Sequence, residues 1–176
     1  MFAELGPLSP NKIKQLQKHY DLLIRWNKVL NLTSVRDPKE IIERHYGESL
    51  FLGQHLPSGS LRIADIGSGA GFPGIPVAIL RPDCSVSLIE SHQRKSVFLI
   101  EATREISNIR VIDQRAEDVK EDFDWAISRA VKHPPTLARN FAFLGGEEPP
   151  FTERFTWNRI KLPSGEHRFL WLGRST

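Results

Sequence analysis

The chain has 176 residues, 40% of them hydrophobic and 26% charged, with a formal net charge of +3. This is an ordinary soluble composition, sufficient for one domain with a real core plus a small appendage. Cys84 is the only cysteine, which excludes an internal disulfide and a cysteine metal cluster, and the longest apolar runs are far too short to span a membrane.

The opening residues lack the basic and apolar regions of a signal peptide, so a cytoplasmic location is expected. Ser9 and Pro10 read as an N-cap followed by proline at the first helical position. Ile13, Leu16, Tyr20, Leu23, Ile24 and Val29 then recur at three- and four-residue steps, which predicts an amphipathic helix to about residue 30. Asn31-Leu32-Thr33-Ser34 breaks it. Asp37-Pro38 opens a second helix through about residue 45, residues 47–56 suggest a third, and Pro57-Ser58-Gly59-Ser60 is a linker. The expected organisation is a helical extension over residues 1–58 and a core over residues 59–176.

In the core, strands and helices alternate. Strands are expected at 61–66, 85–90, 109–112 and 123–128, with a short element near 116–119. Helices are expected at 75–80 and 92–106, the latter with Val97, Phe98, Leu99, Ile100 and Ile106 inward. Such alternation implies βαβ crossovers. After Arg129 a helix is expected over 136–143. Two late runs, 155–162 and 168–172, read as strands of an antiparallel hairpin on the sheet edge. The expected class is α/β, a mostly parallel, twisted Rossmann-like sheet with helices on both faces and an N-terminal helical extension.

The first strand runs into Asp65-Ile66-Gly67-Ser68-Gly69-Ala70-Gly71-Phe72-Pro73-Gly74. A glycine turn at the carboxyl end of a strand is where open α/β sheets take nucleotide-like ligands. Read from Gly69, the letters satisfy the G-x-G-x-x-G dinucleotide fingerprint. Read from Gly67, they give an acid followed by three alternating glycines. The second register fits better, because the strand ends near Ile66, Pro73 has no N–H for a pyrophosphate, and Asp65 would repel one. It suits S-adenosylmethionine, which carries cationic groups and no phosphate. Two roles are open for Asp65, pairing with the ligand's amino group and capping the turn. Glu90 closes the second strand 23 residues after Gly67, where an acid accepts hydrogen bonds from a ribose diol.

Charge is uneven. Basic and acidic residues number 8 and 6 over residues 1–60, 8 and 11 over 61–128, and 8 and 4 over 129–176. Basic flanks beside a mildly acidic core suggest an anionic macromolecule, RNA or DNA foremost.

Several stretches in order resemble one family. They are Trp26-Asn27-Lys28-Val29-Leu30-Asn31-Leu32-Thr33-Ser34, Arg44-His45, the glycine turn with its Phe72-Pro73-Gly74-Ile75-Pro76 ending, Leu88-Ile89-Glu90-Ser91, Arg115-Ala116-Glu117-Asp118 and Ser128-Arg129-Ala130. Together they resemble the RsmG (GidB) family of bacterial 16S ribosomal RNA guanine-N7 methyltransferases, class I enzymes dependent on S-adenosylmethionine. The family's Asp-Ser-Leu is Glu48-Ser49-Leu50 here, its Leu-Lys-Gly is Leu144-Gly145-Gly146, and the region after Ala130 is shorter than usual.

The resemblance implies a cofactor site of Asp65, Gly67, Gly69, Gly71, Phe72, Glu90, Ala116, Glu117 and Arg129. It implies catalytic positions at Asn31, His45 and Arg129, and RNA contacts from Arg36, Arg44, Arg139 and Arg168. The substrate would be 16S ribosomal RNA or the small subunit, with no metal and a monomeric protein. The fourth strand ends in Ser128-Arg129-Ala130-Val131, without the Asn/Asp-Pro-Pro-aromatic signature of amino-group methylation. Cys84 is misplaced for attack on a pyrimidine carbon. Guanine N7 bears an in-plane lone pair and loses no proton on methylation, so alignment suffices. Two alternatives are a dinucleotide-dependent Rossmann oxidoreductase and a non-catalytic RNA- or ribosome-binding relative.

Overall fold

The computed structural model describes residues 6–129, 131, 135, 137–149 and 155–175. Helix α1 (Pro10–Trp26) starts where Ser9 accepts the Lys12 N–H and Pro10 occupies the first turn. It ends at Trp26 because buried Asn27 folds the chain back. Its side-chain oxygen accepts the Leu32 and Thr33 N–H groups and its amide donates to the Thr33 carbonyl. Val29 therefore lies outside the helix and is 72% exposed rather than inward.

Asp37 caps α2 (Pro38–Glu40), which continues through a π-helical stretch (Ile41–Gly47) directly into α3 (Glu48–His55). The second and third expected helices are thus one rod. Glycine at 47 does not interrupt it. Single π-turns inside helices often mark functional positions.

Seven strands form one sheet in the order β3-β2-β1-β4-β5-β7-β6: β1 (Arg62–Ile66), β2 (Ser85–Ile89), β3 (Ile109–Ile112), β4 (Phe123–Arg129), β5 (Ala138–Gly145), β6 (Phe155–Lys161) and β7 (Phe169–Ser175). The first five are parallel, and β7 is inserted antiparallel between β5 and β6. Helices α4 (Gly74–Leu80) and α5 (Gln93–Thr103) and a 3-10 turn at Ala116–Asp118 follow β1, β2 and β3. The chain leaves β1 to build β2 and β3 on one side, then returns to build β4 on the other. This switch point is at the carboxyl ends of β1 and β4.

The core has two clusters, one on each face of the sheet. Ile63, Val86, Leu88, Trp125, Ile127, Ala142 and Leu144 pack against α1, α3, α4 and α5. On the other face, Ala64, Ile66, Phe123, Phe141, Phe143, Phe155 and Trp171 form an aromatic layer. Among the described residues that face carries only the 3-10 turn and coil, so the α-helices seen lie on one side. Residues 113–122 are short and acidic, and the 130–137 connection holds two prolines in eight residues.

Two expectations are corrected here. Residues from 138 onward form strand β5, not a helix, because Phe141 and Phe143 feed one face while Ala142 and Leu144 feed the other. Thr136 lies outside the described residues. In α5, Phe98 and Leu99 are buried but Val97 and Ile100 are about half exposed. A helix turns about 100° per residue, so four consecutive side chains cannot share one face. Among the described residues no helix is long and apolar enough to cross a membrane.

Candidate functional site

The glycine turn follows β1 at the switch point and is pinned from three sides. Gly67 and Ser68 N–H groups donate to the Ile89 carbonyl, at 2.9 and 3.1 Å, and the Gly69 N–H donates to Glu90 Oε2 at 2.9 Å. From α1, buried His19 donates Nε2–H to the Ala70 carbonyl at 2.9 Å, and Tyr46 O–H donates to His19 Nδ1. Gly67 and Gly71 have φ of +69° and +88°, which favour glycine. A Cβ on Gly67 would meet Val131 at 3.0 Å across the cleft, and one on Gly71 would lie 2.4 Å from Ile75 Cδ1.

Asp65 is fully buried beneath the turn, and Oδ2 accepts the Gly74 N–H at 2.9 Å. Of its two open roles this is the cap, at the start of α4. Its Oδ1 is buried without a hydrogen-bond partner. Burial raises its pKa to about 7, opposed by the Gly74 N–H hydrogen bond.

On the solvent side a cleft of about 360 Å³ lies over the ends of β1 and β2. Ile66, Gly67, Ile89, Glu90, Ala116, Glu117 and Val131 are in its walls. Glu90 is held there by the Gly69 N–H and, at 2.8 Å through Oε1, the His92 N–H. Each carboxylate oxygen keeps a further lone pair for a ligand. The cleft thus gathers Gly67, Glu90, Ala116 and Glu117. Gly69, Gly71 and Asp65 shape the turn from behind.

A second group stands beside it, where β4 meets the π-helical segment. Arg129 Nη1 is 2.6 Å from His45 Nδ1, and Nη2 donates to the Arg44 carbonyl at 2.7 Å and to Glu48. Glu48 is wholly buried and also takes Arg168, through Nη2 at 2.6 Å and Nε at 3.1 Å, and the Ser164 hydroxyl. Phe72 is a buried aromatic stacked on the His45 ring, with centroids 4.9 Å apart. Two guanidiniums on one carboxylate leave a net positive charge. Burial lowers the Arg129 pKa to about 10, with Glu48 opposing, so it stays protonated at neutral pH. Burial first, then the Arg129, Arg44 and Arg168 charges, lower His45 to about 3, so its ring is neutral.

The structure brings His45, Arg129, Arg44 and Arg168 together. It leaves Asn31 exposed on the loop after α1. Arg36 is also exposed. Arg139 lies opposite Asp124 at the amino end of β5, roughly 16 Å along the strand from the Leu144 end. Sequence reasoning missed Glu48 as the hub. The available signal was one acid ahead of the apolar run Leu50-Phe51-Leu52.

The buried ionisable groups set a pH dependence of stability. Burial lowers His19 to about 4 and His45 to about 3, against 6.5 when unfolded. Their contribution is complete above pH 6.5 and is lost as pH falls toward those values. Asp65 acts oppositely: its contribution is present below 3.8 and is lost as pH rises through 7. Between pH 4 and 6.5 two histidines outweigh one carboxyl, a net of about 1.4 kcal/mol per pH unit. Thermal melts should show a falling midpoint on acidification from pH 6.5. His19→Gln should flatten that slope and Asp65→Asn steepen it; unchanged slopes in both would refute the assignment.

Residues 12–144 match the family model described as GidB, rRNA small subunit methyltransferase G. The ribosomal RNA small subunit methyltransferase G of Xanthomonas euvesicatoria is 46% identical over 120 residues, 66% of this chain and 56% of that protein. Those of Nitrosomonas europaea and Pseudomonas paraeruginosa are 42% identical over 131 residues and 39% over 150, covering 72% and 82% of this chain and 60% and 70% of theirs. The chain thus spans a little over half the length of the Xanthomonas relative. A solved S-adenosylmethionine-dependent methyltransferase from Aquifex aeolicus superposes with a TM-score of 0.62 at 13% identity, covering 83% of this chain and 97% of that one. The N-methyltransferase NodS of Bradyrhizobium japonicum gives 0.58 at 17%, covering 80% and 99%. These likenesses establish the Rossmann-like methyltransferase fold, and the extent of the sequence match places the chain in the rRNA small subunit methyltransferase G family.

Proposed function

We propose that the protein transfers a methyl group from S-adenosylmethionine to N7 of a guanine in 16S ribosomal RNA. The observation that carries this reading is the cleft that joins Gly67, Glu90, Ala116 and Glu117 at the switch point of a chain from this family. The cleft fits such a ligand: a bare Cα at Gly67, a fixed carboxylate at Glu90 and, among the described residues, no lysine or arginine except Arg115 in its wall. When bound, the cofactor supplies an electrophilic methyl group.

The chain's own residues then orient and attract. Glu90 offers lone pairs to hydroxyls, while Ala116 and Glu117 edge the base. Arg129, with Arg168 sharing Glu48, supplies positive charge where an RNA phosphate would come near. Asn31, Arg36 and Arg44 lie on residues 1–58, which we read as an RNA-facing extension packed on the core of 59–176. Arg139 would belong to a separate contact at the far end of the sheet. We read the protein as a cytoplasmic monomer acting on naked 16S RNA or the small subunit without a metal.

Mapping N7-methylguanosine in small-subunit RNA from cells with and without the protein tests this. One guanine should lose its mark when the protein is absent. An unchanged map, with salt-sensitive RNA binding intact, would replace the reading with the non-catalytic relative.

A further inference from the structure

We propose that His45 is a positioning residue, not a base: a neutral ring held in one tautomer that fixes the Arg129 guanidinium beside the cleft. The inference rests on the methyltransferase reading for what Arg129 serves, but its geometry stands alone. A guanidinium N–H can only donate, so His45 Nδ1, 2.6 Å from Arg129 Nη1, must accept. The ring's one proton is therefore on Nε2, which donates to Thr33 Oγ1 at 2.8 Å. Thr33 is held in turn by the Val35 N–H at 3.1 Å. Phe72 covers one ring face.

Both nitrogens and one face are thus committed, and neither nitrogen is left to take a proton from a substrate. The groups around the ring agree. Arg129 comes from β4, Arg44 and Glu48 from the same helical rod, Arg168 from the entry to β7, and His19 from α1. Three cations oppose protonation, and Glu48 is already shared by two arginines. A neutral imidazole accepts from Arg129 while adding no charge beside it.

The test has two arms. In the protein alone, nitrogen-15 spectra of labelled histidine should show His45 with Nδ1 bare and Nε2 protonated from pH 5 to 8. In methyl transfer to small-subunit RNA, His45→Leu should lower kcat on the order of 10²-fold through misplacement of Arg129. His45→Asn, whose Oδ1 restores an acceptor near Nδ1, should recover most of that loss with the wild-type pH profile. The proposal is overturned by a ring that titrates between pH 5 and 8. It is equally overturned by His45→Asn as inactive as His45→Leu with an inflection near 6.5 abolished, or by His45→Leu with wild-type kinetics. If the wild type transfers no methyl group at all, the functional reading fails, and the spectra still decide the tautomer.

Discussion

Glu48→Ala is expected to destabilise the protein by about 3–5 kcal/mol, the cost of stripping one partner from a buried ion pair. The carboxylate has no exposed surface and takes both Arg129 and Arg168, so its removal leaves two cations half-enclosed with no counter-charge. The melting temperature should fall by roughly 6–20 °C. Glu48→Gln keeps the volume and an acceptor, and should fall between the two. The loss also removes the carboxylate that ties Arg129 of β4 and Arg168 of the loop before β7 to the start of α3. A melting temperature within about 2 °C of wild type in Glu48→Ala would show that the cluster contributes nothing net.

Gly71→Ala should be nearly as damaging, for a different reason. At φ of +88° any Cβ is strained, at a cost of about 1–2 kcal/mol. Here the new atom would also sit 2.4 Å from Cδ1 of fully buried Ile75 and 3.3 Å from His19 Nε2. Overpacking of that kind adds about 1–3 kcal/mol. The turn would shift, and the hydrogen bond from His19 to Ala70 and ligand binding would both be lost. Gly59→Ala is the internal control: φ is +97° but nothing lies within 4 Å, so it carries backbone strain alone. Equal destabilisation by the two substitutions would show that packing at Gly71 is not the constraint.

The parts of the fold written in short periodic stretches were legible. The four core strands, the glycine turn and the late hairpin each stand close to where local pattern put them. Strand β5 was not, because a segment buried on both faces has no alternation to separate it from a helix. Cofactor candidates such as Gly67 and Glu90 were legible because strand and turn fix their spacing. Glu48 was not, since Arg129 and Arg168 lie 81 and 120 residues away in sequence. The two roles of Asp65 could not be separated by sequence at all: Asp65 and Gly67 are two residues apart, yet one is under the turn and the other on the cleft wall.

Calorimetric titration of the protein with S-adenosylmethionine tests the central claim most directly. Saturable binding at one site per chain, abolished in Glu90→Ala and in Gly67→Val, is the expected result. A flat titration, or protection of the fold by NAD in place of S-adenosylmethionine, would contradict it.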